Sequence, residues 1–308
     1  MNKLENKRNK IYICLSIILA AAIIVVCYMG QKKQGKEVAR YSQLASECNK
    51  QNKISQPPLE NQKEGAAKQE EKKVEKPKYE GTLKYNDKSI PVLMYHSAEY
   101  LEAEPKNELR VPKEKFREQM KFLKDNGYST LSMDELYQFF ANNVPVPEKS
   151  VVITFDDGYL DNYTNALPVI KEYGLKATVF VVTDWVNTNN SYMNTEQLKE
   201  MDANGFEIQS HTLDHKELDK LTADEQLRTL KESKQFLEEK LNKKITTIAY
   251  PIGKFSDNTL KAAQEAGYLI GIKMIGGIAN KNNGLLTINR IYIKASDTIQ
   301  QFEAKIKQ

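Results

Sequence analysis

Residues 150–155 read SVVITF, and residues 156–159 follow as DDGY. An unbroken apolar, β-branched run of this length reads as a buried strand. It runs straight into two adjacent carboxylates, which repel each other and are each costly to bury without a partner. In a continuing strand their side chains would face opposite ways. Gly158 permits a sharp backbone turn directly after them, so Asp156 and Asp157 can both sit at the carboxyl edge of a sheet. A bound cation is one way to compensate such a pair, and the rest of the chain can be searched for its other ligands.

Working outward, similar runs recur as IPVLMYH (90–96), ATVFVV (177–182), FEIQSH (206–211), ITTIAY (245–250), YLIGIKM (268–274) and LLTINRIYI (285–293). Helical periods lie between them at 113–126, 133–142, 161–173, 195–204, 223–241, 257–266 and 297–307. Ser132 with Glu135 and Thr222 with Glu225 fit capping boxes. Strand and helix alternate about seven times, so the fold class is α/β with a parallel sheet, open or closed into a barrel.

The N-terminal part differs. Ile11 to Met29 carries no charged residue and would span roughly 28 Å as a helix, about a bilayer core. Lys3, Lys7, Arg8 and Lys10 before it suit a cytoplasmic N-terminus. A cleaved signal peptide is the rival, but the apolar stretch is long for one and no small-x-small site follows. Residues 1–30 therefore read as a transmembrane anchor in the lipid bilayer. Residues 31–85 read as a charged spacer too poor in apolar side chains to offset its ordering entropy. Residues 86–308 read as the folded domain.

Bulk composition excludes some partners. The 308 residues are 40% hydrophobic and 28% charged, with a formal net charge of +4. That charge gives no general electrostatic case for nucleic acid. Cys14, Cys27 and Cys48 all lie outside the α/β region, so neither a disulfide framework nor a cysteine metal site is indicated there.

Two of the three histidines, His211 and His215, close the run IQSHTLDH at 208–215. Two imidazoles and a carboxylate such as Asp157 would make a divalent metal site with open positions. A third stretch, IAYPIGKFSD at 248–257, stops a strand at Pro251 and turns at Gly253.

Together these stretches resemble the polysaccharide deacetylases of the NodB-homology type, carbohydrate esterase family four. Thr154 to Gly158 is similar to that family's first motif and His211 to His215 to its second, with the resemblance running over about residues 89–293. It implies a distorted (β/α)7 barrel and a metal-dependent hydrolase that removes acetyl groups from amino sugars or sugar hydroxyls. Carried over by position, Asp157, His211 and His215 would hold Zn2+ or another divalent transition metal. Asp156 would be the general base, and the backbone N–H of Ile252 would help bind the oxyanion.

Two departures matter. The arginine that usually braces the base falls at Ala249, and no histidine follows His215 to act as the late general acid. The early His96, in MYH, together with AYPxG, is similar to the branch that deacetylates poly-N-acetylglucosamine, and in that branch such a histidine is the acid. Arg290 is a candidate to brace a carboxylate instead. Tyr250, Trp185 and Arg290 are candidate substrate contacts, Trp185 because an aromatic ring can stack on a sugar face.

The expected partner is thus an N-acetylglucosamine-containing polysaccharide, poly-N-acetylglucosamine or the peptidoglycan, met by an outward-facing domain on the cell-wall side of the membrane. A glycosidase using Asp156 and Asp157, an Fe2+ site for oxygen chemistry and an inactive wall-binding module are the competing readings.

Overall fold

The computed structural model describes residue 79 and residues 81–307. The anchor at 11–29 and nearly all of the 31–85 spacer lie outside the described residues. Among the described residues no helix is long and apolar enough to cross a membrane. Ahead of residue 86, Leu83–Lys84 pairs antiparallel with Val146–Pro147.

Seven parallel strands form the frame: β1 (Val92–Tyr95), β2 (Ser150–Phe155), β3 (Ala177–Val181), β4 (Phe206–Ser210), β5 (Thr247–Ala249), β6 (Ile270–Ile272) and β7 (Ile291–Tyr292). Their order in the sheet is β7-β1-β2-β3-β4-β5-β6. Ser129–Thr130 adds a short parallel pairing to the start of β2. The helices are α1 (Lys113–Asp125), α2 (Met133–Asn142), α3 (Leu167–Tyr173), α4 (Thr195–Asp202), α5 (Ala223–Leu241), α6 (Asp257–Glu265) and α7 (Ile299–Ile306). Both expected capping boxes are present, at Ser132 and Thr222. The expected helix over 161–173 opens instead as a π-helical turn at Asn162–Ala166.

The sheet curls, consistent with a distorted (β/α) barrel. The run 285–293 explains the curl and corrects its own reading as one long strand. Ile288 bridges Ile272 of β6, whereas Ile291 and Tyr292 pair with Leu93 and Met94 of β1. The run therefore bonds both ends of the strand order, and no single partner holds its whole length.

The two faces of each strand bury into different layers, as a parallel sheet requires. Leu93, Tyr95, Val151, Ile153 and Phe155 pack with Phe116 and Met120 of α1 and with the other flanking helices. Val92, Val152, Phe180, Ala249 and Ile272 pack together on the opposite face, with Phe139 and Leu136 of α2.

Gly271 marks a close approach on the opposite, helix-covered side of β6, between the inner-facing Ile270 and Ile272. A Cβ there would sit 2.6 Å from the Leu286 carbonyl oxygen and would also collide with the Tyr250 hydroxyl. The Gly271→Ala substitution is expected to cost about 1–3 kcal/mol through overpacking, read as a lower denaturant midpoint at unchanged slope.

Candidate active site

Because these seven strands run one way, their carboxyl ends share one edge, and the candidate base, acid, metal ligands and oxyanion donor found in the sequence fall there. His96 follows β1, the Asp156–Asp157 pair follows β2, His211 follows β4, and Ile252 follows β5. Sheet bonding continues up to the first of these residues: Asp156 N–H donates to the Tyr95 carbonyl at 3.0 Å and His211 N–H to the Val181 carbonyl at 2.9 Å.

Alternation puts Val152, Thr154 and Asp156 on the inner face. Asp157 would then point outward, but it adopts φ 74°, as Gly158 does at 79°. This left-handed turn keeps both carboxylates at one site. Thr212, His215 and Ile252 also have positive φ, at 71°, 57° and 56°. Strained backbone of this kind costs of order 1–3 kcal/mol per residue and persists where the surroundings enforce it. Here Leu213 N–H donates to Thr229 Oγ1 and His215 N–H to Thr212 Oγ1, which pins the 211–215 turn.

The structure brings Asp157, His211 and His215 together. Nε2 of each imidazole lies 3.4 Å from the same oxygen, Asp157 Oδ1. All three candidate ligand atoms lie within 4.8 Å of one another. His211 Nδ1–H donates to the Ala249 carbonyl at 2.8 Å, so its Nε2 carries the lone pair. Asp157 Oδ1 is buried and has no hydrogen-bond partner among the described residues. Three potential electron-pair donors therefore converge on one point, and the residues fit a divalent cation.

Asp156 is gripped from below. Arg290 donates Nη1 to Oδ1 at 2.7 Å and Nη2 to Oδ2 at 2.6 Å, a bidentate fork. Its Nε–H donates to the Lys273 carbonyl at 2.8 Å and Nη1 also reaches Thr154 Oγ1 at 3.2 Å. The brace that Ala249 cannot provide thus arrives from a distant segment. Burial pushes the Asp156 carboxyl up, but the Arg290 charge and then His211 hold it well below the usual carboxylate range. Burial likewise pushes Asp157 up, and the adjacent His211 brings it below its ordinary value.

His96 Nε2 lies 3.9 Å from Asp156 Oδ2. Burial lowers its pKa, with Asp156 opposing. Burial also lowers His211, but the two aspartates outweigh it and its pKa is raised. His215 stays low through burial and then the His211 charge.

Two substrate-contact expectations are corrected. Tyr250 is fully buried and its hydroxyl donates to the Leu286 carbonyl at 3.0 Å, so no sugar reaches it. Arg290 is 1% exposed and lies behind Asp156, where a substrate cannot touch it. Trp185 is half-buried and stacks on His215, ring centroids 5.3 Å apart. Ile252 is 50% exposed and its N–H has no protein acceptor among the described residues.

Sequence reasoning missed Asp161 and Asn162. Buried Asp161 accepts from Ser97 Oγ at 2.8 Å and from Ala98 N–H at 2.6 Å, while Asn162 Nδ2 donates to the His96 carbonyl at 2.8 Å. Together they fix the segment that carries His96. No local signal marks them, since they sit inside a helical period more than sixty positions from their partners.

The sequence profile of the family described as Polysaccharide deacetylase matches residues 143–271. YxkH of Bacillus subtilis (strain 168), classed among the polysaccharide deacetylases, is 38% identical over 250 residues, covering 78% of this chain and 88% of its own length. The poly-beta-1,6-N-acetyl-D-glucosamine N-deacetylase of Staphylococcus aureus (strain MRSA252) is 30% identical over 236 residues, which is 68% of this chain and 81% of its own. Among solved structures, the Streptococcus pyogenes deacetylase PplD in complex with acetate superposes with a TM-score of 0.68 at 35% identity, covering 71% of this chain and 99% of that one.

Proposed function

This chain belongs to the polysaccharide deacetylases, hydrolases acting on amide bonds, and from that premise we propose that it removes acetyl groups from N-acetylglucosamine residues of a cell-surface polysaccharide. Poly-β-1,6-N-acetylglucosamine is the favoured substrate, supported by the staphylococcal relative of that activity, and peptidoglycan N-acetylglucosamine is the alternative. The observation that carries the reading is the convergence of Asp157, His211 and His215 at one sheet edge, with Asp156 and His96 beside them. Residues 11–29 would tether the domain to the membrane, and the spacer would let it reach substrate on the cell-wall side.

Asp157, His211 and His215 would hold the cation, with Zn2+ the best match to two imidazoles and one carboxylate. Such a cation, when bound, lowers the pKa of a water towards ~7 and polarises the acetyl carbonyl. Asp156 takes the proton of the attacking water. Arg290 keeps it ionised and aimed, and at the same time makes it a weak base, so an acidified water is a requirement of this site. The Ile252 N–H, turned out of helical pairing by its left-handed backbone, donates to the developing oxyanion. The amide C–N bond then breaks, acetate departs with the added oxygen, and His96, as the imidazolium that its lowered pKa makes a ready donor, supplies from Nε2 the proton that the leaving amine needs.

A glycosidase would need one of the two carboxyls protonated as an acid. Both Asp156 and Asp157 are held below their ordinary values, which speaks against that reading.

The test is acetate release by the full-length protein from both polymers. Release from poly-N-acetylglucosamine should stop with a chelator and return on adding Zn2+. Liberation of reducing sugar in place of acetate would replace the deacetylase reading with the glycosidase one.

A further inference from the structure

The loop between β3 and α4 lines a cavity of about 320 Å3 with carboxamides and no charged side chain. The orientation of these amides is set by the backbone. Asn189 Oδ1 accepts from Ser191 N–H at 2.8 Å, Asn194 Oδ1 from Gln197 N–H at 2.9 Å, and Gln197 Oε1 from Asn194 N–H at 2.8 Å. An amide whose oxygen is committed in this way has its NH2 fixed in direction. None of these three NH2 groups has a protein acceptor among the described residues, and Asn190 adds a fourth amide. Asn187, by contrast, spends both ends on Thr195, at 2.9 and 3.0 Å, and so closes the base of the loop. The wall therefore offers uncharged donors already held in place, and its complement is a neutral ligand rich in acceptors.

The aromatic wall of the cavity, Tyr192, connects it to the catalytic edge. Its ring lies 4.7 Å from Trp185, which in turn stacks on His215. Its other neighbour is Tyr159, stacked at 5.4 Å and two residues beyond Asp157. Leu160 N–H donates to the Ser191 carbonyl at 2.9 Å and Met193 N–H to the Gly158 carbonyl at 3.1 Å. The cavity wall and the Asp156–Asp157 turn are thus bonded into one unit.

We propose that this cavity is a second sugar subsite, which takes a neutral, still N-acetylated hexosamine adjoining the one under attack and rejects its cationic, deacetylated form. The proposal rests on the deacetylase reading above. An acetamido carbonyl and ring hydroxyls accept hydrogen bonds from the amide wall, and a sugar face stacks on Tyr192. Deacetylation replaces that carbonyl by an ammonium, which has only donors to set against the wall's donors and no carboxylate to receive it. An amine already formed next door would then disfavour the next cleavage, and the product would carry spaced rather than contiguous amines.

The test uses isosteric charge swaps that keep the fold-holding oxygens. Asn194→Asp and Gln197→Glu each retain the oxygen that caps α4 and replace the outward NH2 with a second oxygen. The full-length protein, with chelator present so that no acetyl is lost, is titrated with a tetramer of N-acetylglucosamine and with its fully deacetylated form, and thermal unfolding confirms that the variants fold. Each variant should bind the acetylated tetramer about tenfold more weakly than the parent and the cationic tetramer more tightly. Unchanged preference in both variants, or no binding of the acetylated tetramer by the parent, overturns the subsite. Acetate release measured in parallel on chelator-free protein reports the deacetylase reading separately. Its absence, with the inverted preference intact, would discard the catalysis and leave the cavity a site for neutral sugar.

Discussion

Asp156→Asn is expected to lower acetate release about 10²–10⁴-fold while the protein still binds a divalent cation. The amide matches the carboxylate in shape, but it has no charge and will not take a proton from water. The cation ligands Asp157, His211 and His215 are unchanged, so metal content measured on the purified variant should stay near one per chain. A stability loss accompanies the change. Arg290 now faces an Nδ2 donor on one arm of its fork, and a buried guanidinium without its counter-charge costs about 3–5 kcal/mol. The informative pair is therefore rate and metal content, read on protein shown to be folded. Asp157→Asn should instead lose both together. Full activity in Asp156→Asn would remove the base assignment, and polymer binding with no acetate release from the parent protein would turn the molecule into the wall-binding module.

Much of this site could be read in the sequence because parallel topology makes position along the chain equivalent to position in space. A polar residue just after an apolar run lies at the carboxyl edge, so DDGY, SHTLDH and the histidine of MYH were predictable neighbours. Helix limits were legible for a similar local reason: capping at Ser132 and Thr222 depends on residues three apart. Contacts made by side chains at long range were not. Arg290 lies in a run that resembles a plain strand, and only the shift of that run from β6 to β1 aims its guanidinium beneath Asp156. Asp161 and Asn162 look like helix residues, yet they serve the backbone of β1's end. Tyr250 shows the converse error. It stands in the third motif next to Ile252, but the sharp turn there leaves Ile252 half-exposed and Tyr250 buried. Proximity in sequence gave its neighbourhood and said nothing about which way its ring points.

Arg290→Met is expected to destabilise the protein by about 3–5 kcal/mol and to reverse how this site responds to acid. Met fills much of the same volume, so the loss reports the uncompensated carboxylate more than a cavity. In the parent protein Asp156 titrates well below its ordinary value of 3.8. A depressed folded-state pKa contributes stability that is present in full above about pH 3.8 and is lost as the pH falls through the folded value. Burial is the largest single influence on this carboxyl, and its direction is upward. With the guanidinium gone, burial prevails and the folded value rises above 3.8. The group then penalises folding when ionised, so stability falls as the pH rises from about 3.8 through that raised value. Thermal unfolding of the chelated full-length protein between about pH 2 and 7 reads both slopes, the parent's below about pH 3.8 and the variant's above it. Arg290→Lys is the control: it restores a positive charge without the planar fork, and it should recover part of the stability and the parent's sign, with a poorer rate because Asp156 is no longer aimed. A Met variant whose acid response keeps the parent's direction would mean that Asp156 is held ionised by the surrounding imidazoles, and the bidentate pair would then be a structural clamp between β2 and the chain's last strand.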